Sequence, residues 1–105
     1  MEMIDFYAGL FDALSHPMRL KILNALSNKR MYVSELAVLL DISRPLLYMH
    51  IKKLEEADIV IGSYEISSSG KSMKYYDVKP FNFHITPDFI RNLTREAKPI
   101  PVELL

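Results

Sequence analysis

The chain has 105 residues, half of them hydrophobic and a quarter charged. That is enough for one domain with one modest core, and too apolar for a disordered segment. Thirteen basic residues balance thirteen acidic ones, so only local clusters of charge can draw it to a polyanion. There is no cysteine, which excludes disulfides, thiolate metal sites and cysteine catalysis and agrees with a reducing compartment. No apolar run approaches membrane-spanning length, and the acidic, amphipathic N-terminus is unlike a secretory leader, so a cytoplasmic protein is expected. Charge is unevenly spread. Residues 1–14 carry Glu2, Asp5 and Asp12 and no cation, whereas cations gather at 19–30, 44–53 and 71–79.

Residues 3–14 place Met3, Tyr7, Leu10, Phe11 and Leu14 on one helical face. Ile4 and Phe6 fall outside that stripe, so the apolar surface is wider than one core contact needs. Ser15-His16-Pro17 breaks the helix, because the residue before proline avoids the helical region. A second helix is predicted to about Ser27, with Ile22, Leu23, Ala25 and Leu26 inward, followed by the polar turn Asn28-Lys29-Arg30.

A helix-turn-helix is predicted over about 33–57. Its first helix is Val33–Leu40 and only Asp41 and Ile42 separate it from the second, a turn of the required tightness. Ser43 is an N-cap and Pro45 sits just inside, where a missing N–H costs little. From Arg44 to Lys53 the charges are Arg44, Lys52 and Lys53, with no acid among them, which suits the DNA major groove. Leu36, Ala37 and Leu40 should pack against Leu47, Ile51 and Leu54.

Two β-rich runs, Ile59–Ile66 and Ser72–Val78, flank Ser67-Ser-Ser-Gly70 and read as a hairpin. Behind a helix-turn-helix such a hairpin is a wing, its tip carrying Lys71 and Lys74. Gly62, inside a strand pattern, marks an expected bulge. Phe81, Phe83 and Ile85 alternate with polar residues in a short extended piece. Thr86-Pro87-Asp88 starts a last helix, expected to run to about Ala97 with Phe89, Ile90 and Leu93 apolar. The expected fold is mainly α with a small β-hairpin, in the order α-α-α-α-β-β-α. Residues 1–80 form the winged helix-turn-helix with its N-terminal dimerisation helix, and 81–105 a C-terminal extension.

Three stretches resemble the ArsR family of winged-helix repressors. They are Ala13–Leu23 with its His-Pro break, Val33-Ser-Glu-Leu-Ala37, and His50–Ala57 at the end of the recognition helix. The resemblance spans about residues 10–78 and implies the fold, duplex DNA as partner, and a two-fold interface made by the first and last helices. Three departures qualify it. Tyr32 and Ser34 stand where metal-sensing members have paired cysteines, so arsenic sensing is not implied. Leu46, Tyr48 and Met49 replace small polar residues on the recognition helix. Asp58 replaces the glycine after it, a position aspartate tolerates at small cost.

The predicted DNA contacts are Ser43, Arg44, Leu46, Tyr48, Met49, His50, Lys52 and Lys53 on the helix and Lys71 and Lys74 on the wing. Arg44, Leu46, Tyr48, Met49 and Lys52 would meet base edges, and Lys53, Lys71 and Lys74 phosphates. Without the wing beside them, the same helix cations would read as an ordinary solvated face. The predicted homodimer interface takes Met3, Ile4, Phe6, Tyr7, Leu10, Phe11, Phe89, Ile90 and Leu93. His16, His50 and His84 lie on separate elements without paired spacing, so a structural role outweighs a metal site. No glycine-rich phosphate loop or catalytic constellation is present, no cofactor is implied, and the residues name no effector. The rival reading is a winged-helix protein-interaction module, favoured by neutral net charge and an apolar recognition face.

Overall fold

Proline and capping side chains set the helix starts. In the computed structural model, which describes residues 2–94, α1 (Met3–Leu14) ends where Ser15 turns the chain. His16 then caps α2 (Pro17–Asn28), its Nδ1 accepting from the Met18 N–H at 3.0 Å, with Pro17 at the first helical position. After the two-residue strand β1 (Met31–Tyr32) comes α3 (Val33–Leu40). Ser43 Oγ accepts from the Leu46 N–H at 3.3 Å and opens α4 (Arg44–Glu56). The chain then forms β2 (Val60–Ile66), β3 (Ser72–Val78) and, capped by Thr86, α5 (Pro87–Leu93).

Both helices of the helix-turn-helix end in the same device. Asp41 and Asp58 take left-handed backbone conformations, with φ of 54° and 62°. In each case the next residue is an isoleucine whose N–H bonds back to the helix, Ile42 to the Ala37 carbonyl and Ile59 to that of Leu54, both at 3.1 Å. Each isoleucine also turns toward the core, Ile59 fully buried and Ile42 half-buried against it. Orphan carbonyls are thus satisfied while the chain reverses. The expectation that Asp58 could stand in for glycine holds.

Leu36, Leu47, Ile51 and Leu54 meet at the centre of the domain with Ile22 and Leu26 of α2. Leu10 and Ala13 bring α1 onto this core. Hairpin strands β2 and β3 pair in unbroken register from Val60↔Val78 to Ile66↔Ser72. β1 adds to the far side of β3 through Met31↔Tyr76 and Tyr32↔Tyr75, giving an antiparallel sheet in the order β1-β3-β2. A left-handed Gly70, at φ 82°, closes the hairpin, with Ser67 Oγ accepting from the Lys71 N–H at 3.1 Å.

Four expectations change here. The strand β1 was not foreseen. Gly62 makes no bulge, since it sits opposite Tyr76 in continuous pairing. Lys74 lies within β3 opposite Tyr64, not at the hairpin tip. The last helix ends at Leu93, and the remainder of the stretch expected to Ala97 falls at residues 95–97, outside those described.

Part of the apolar surface of α1, at Tyr7 and Phe11, has a partner within the chain. Phe83 and Phe89 fold back on it, with the Tyr7 ring 5.1 Å from Phe89, edge to face, and 6.3 Å from Phe83. Phe11 completes the group, 6.1 Å from Phe83. Of the residues expected at a dimer interface, Leu10 is therefore a core residue, and Leu93 is buried as well. Tyr7, Phe11 and Phe89 are half-buried in the aromatic cluster and Ile4 is also half-buried, while Met3, Phe6 and Ile90 remain exposed.

Candidate nucleic-acid interface

Helix α4 divides its residues by the 3.6-residue period. Leu47, His50, Ile51 and Leu54 face inward. Arg44, Leu46, Tyr48, Met49, Lys52 and Lys53 face outward, with Tyr48 and Met49 about half exposed at 50% and 54%. Ser43 is spent on the cap, where its hydroxyl holds the Leu46 N–H.

His50 was expected to reach DNA, but it lies buried on the inward face of α4. It is 3% exposed, with its ring 4.5 Å from that of His16 and its Nδ1 without a hydrogen-bond partner among the described residues. Burial lowers its pKa, and the neighbouring His16 and Arg19 lower it further. Arg19 is itself fixed on the end of α1, its Nε donating to the Ala13 carbonyl at 2.7 Å. The neutral ring therefore serves as part of the packing between α4 and the start of α2.

The outward face of α4 meets the wing in a shallow groove of about 230 Å³. Arg44, Tyr48, Lys71 and Lys74 line it together with Tyr32 and Ser34, and among the described residues no carboxylate does. Tyr32 and Ser34, which carry hydroxyls in place of thiols, are thus among the residues that line this groove. On the opposite flank a second groove, about 280 Å³, runs between α1 and α4. It holds Asp5, Asp12 and Glu56, and Lys53 lies among them. A molecule of zero net charge thus keeps a cationic groove at the N-terminal end of α4 and an acidic one at the C-terminal end. Lys53 was expected among the phosphate contacts and sits on the acidic side.

The wing is fastened on both faces of the sheet. On the outer face Arg30 reaches across β3, its guanidinium 4.7 Å from the centre of the Tyr75 ring, to pair both nitrogens with the Glu65 carboxylate. The Glu65 pKa is lowered by that hydrogen bond. On the inner face Lys74 lies beside Tyr64 and Tyr76. Sequence spacing missed both, because each depends on which residues the register sets opposite one another.

Among the described residues no three histidine, aspartate or glutamate side chains gather as a metal site, and His84 is exposed. No helix there is long and apolar enough to cross a membrane.

Comparison with known proteins agrees with this geometry. Residues 16–61, from the cap of α2 into β2, match the model of the bacterial regulatory protein, arsR family. An uncharacterized HTH-type transcriptional regulator of Methanocaldococcus jannaschii is 38% identical over 93 residues, which cover 89% of this chain and 96% of that protein. NolR from Sinorhizobium fredii superposes with a TM-score of 0.60 at 25% identity, over 87% of this chain and 80% of its own. HlyU from Vibrio cholerae, at 22% identity and TM-score 0.61 over 89% of this chain and 92% of its own, shares the fold. With its helix-turn-helix, winged three-stranded sheet and near full-length relative, the chain belongs to the ArsR family and is a winged helix-turn-helix transcriptional regulator.

Proposed function

We propose that the protein binds duplex DNA sequence-specifically as a homodimer and acts as a repressor on an inverted-repeat operator. The observation that carries this is the groove joining the start of α4 to the wing, lined by cations and by no carboxylate among the described residues. Arg44, Leu46, Tyr48, Met49 and Lys52 are the proposed base-reading set, projecting from a helix whose other face is locked in the core. Ser43 holds the N-terminal end of that helix in place, and Lys71 at the exposed hairpin turn is the proposed phosphate contact. The acidic groove at α1 faces away from this surface, where its charge does not oppose binding.

Met3, Phe6 and Ile90, exposed on α1 and α5, are the proposed centre of the two-fold contact. Tyr7, Phe11 and Phe89 would support it from the aromatic cluster. Pairing through this surface would set two recognition helices roughly 34 Å apart, one turn of DNA. Met3→Glu with Phe6→Glu should convert a sedimenting dimer to a monomer. A parent that sediments as a monomer at micromolar concentration defeats the dimer.

The test of the function is selection of bound duplexes from a random pool, followed by a salt titration on the enriched sequence. A symmetric site whose binding weakens steeply with salt is expected. A second reading is favoured by the exposed Val38, Leu39, Leu46 and Met49, an apolar surface on the helix-turn-helix that would suit a protein partner. Failure to enrich any duplex, with a salt-insensitive protein contact in its place, would choose that reading.

A further inference from the structure

We infer that Lys74 is a positioning residue of the wing, held between Tyr64 and Tyr76 across Gly62, and that it sets where the hairpin tip stands over α4 without itself contacting phosphate. The inference rests on the DNA-binding reading for its purpose, but its physical content lies in the free protein.

The register makes the arrangement. Tyr64 pairs with Lys74 and Gly62 with Tyr76, so these side-chain positions share one face of the sheet as a square. Lys74 crosses the square on its diagonal. A β-carbon on Gly62 would come 2.6 Å from Lys74 Cε and 3.0 Å from the Tyr76 ring. The missing side chain is therefore the space the lysine stem occupies, which accounts for a glycine in a regular, unbulged strand. The stem runs toward the base of the hairpin, away from its tip. Its Nζ ends 5.3 Å from the Tyr76 ring centre and 5.5 Å from that of Tyr64, within range of both ring faces.

The two rings differ in kind. Tyr76 is 2% exposed and belongs to the core, whereas Tyr64 is 72% exposed on the edge strand. Lys74 links the free ring to the fixed one. Partial burial works against its charge, but Tyr76, Glu55 of α4 and Tyr64 outweigh that and raise its pKa, so the ammonium persists. A lysine that tracks phosphate extends into solvent, as the exposed Lys71 can. Lys74 has its charge turned inward, toward the helix that the wing must accompany.

Amide hydrogen exchange on the free, full-length chain tests this directly. Lys74→Met keeps the stem and removes the charge. It should speed exchange across 62–75 while the core amides of α2 and α4 keep parental rates, and Lys74→Arg should restore protection. In the parent, the Lys74 ε-protons should show upfield ring-current shifts that survive addition of the selected duplex. In DNA titrations Lys71→Ala should lower the salt slope by about one unit, whereas Lys74→Met should weaken binding with the slope unchanged. Unchanged wing exchange in Lys74→Met, loss of the ring-current shift on DNA, or a slope lowered by Lys74→Met would each overturn the inference. A parent that binds no duplex would overturn the DNA reading, and the exchange result would still decide the role of Lys74 in the wing.

Discussion

Helix α4 and the β2–β3 hairpin carry the proposed DNA contacts, yet they are held by different forces. α4 is anchored by Leu47, Ile51 and Leu54, none more than 1% exposed. The outer half of the hairpin rests on Tyr64, Lys74, Arg30 and Glu65, none of them buried. Apolar burial is not weakened by ionic screening, whereas ion pairs and cation–aromatic contacts at the surface are. The proposed reading helix is therefore held at a fixed angle, and the proposed phosphate-contacting hairpin is the part that can yield to it.

The largest expected effect tests the anchored side. Ile51→Ala removes a fully buried side chain at the centre of the core and should cost about 2–5 kcal/mol of global stability, read from urea denaturation. A loss well under 1 kcal/mol would mean that α4 is less firmly seated than its burial indicates. Next comes the exposed side of the same helix. Arg44→Ala should weaken specific DNA binding by about 1–3 kcal/mol if its guanidinium meets a base, with the melting temperature unmoved. Equal binding by variant and parent would remove Arg44 from the reading set.

A smaller effect depends on pH and belongs to the anchored face. The folded state holds the His50 pKa below its ordinary value, chiefly by burial and then through His16 and Arg19. The unfolded chain therefore takes up a proton where the folded chain resists it. This contribution to stability is complete above about pH 6.5 and declines as the pH falls below that value. Urea midpoints from about pH 7.5 to about pH 5.5 should show the decline, and His50→Leu should flatten it. A His50→Leu profile parallel to the parent's would assign the decline to other groups.

The smallest effect on global stability lies in the wing. Arg30→Ala breaks the exposed strap to Glu65 and should leave the melting temperature almost unmoved, while local exchange at Glu65 and Tyr75 quickens. A marked drop in melting temperature would show that the wing and the helix body unfold as one unit, erasing the contrast between them.

Much of this contrast was legible in the residues. The apolar period fixed α1 through α4, and the caps and prolines fixed where each begins. His50 was legible too, since Leu47, His50, Ile51 and Leu54 follow the inward spacing of a helix. Its side-chain chemistry invited an outward reading that its position contradicts. β1 was not legible, because a strand of two residues shows no alternation. Nor were the straps of the wing. Lys74 on Tyr64 and Arg30 on Glu65 depend on a register that composition does not encode. The width of the apolar surface on α1 was visible, but not that Phe83 and Phe89 would cover part of it.

That covering imposes an order on the making of the molecule. Leu10 and Ala13 settle against helices that follow soon after α1 in the chain. Tyr7 and Phe11 must wait for Phe83 and Phe89, 72 to 82 residues further along, and closing so long a loop is a slow step for a small domain. During synthesis the outer edge of α1 stays bare until that segment emerges, and a neighbouring chain can supply the same rings first. Exchange of residues 81–93 between two copies would then keep these ring contacts and tie the chains together, a hypothesis of segment exchange in place of simple docking. The cysteine-free background allows a direct trial with Tyr7→Cys and Phe89→Cys on one chain. Oxidation that yields a covalently linked pair of chains would support the exchange, and an exclusively intrachain product would exclude it.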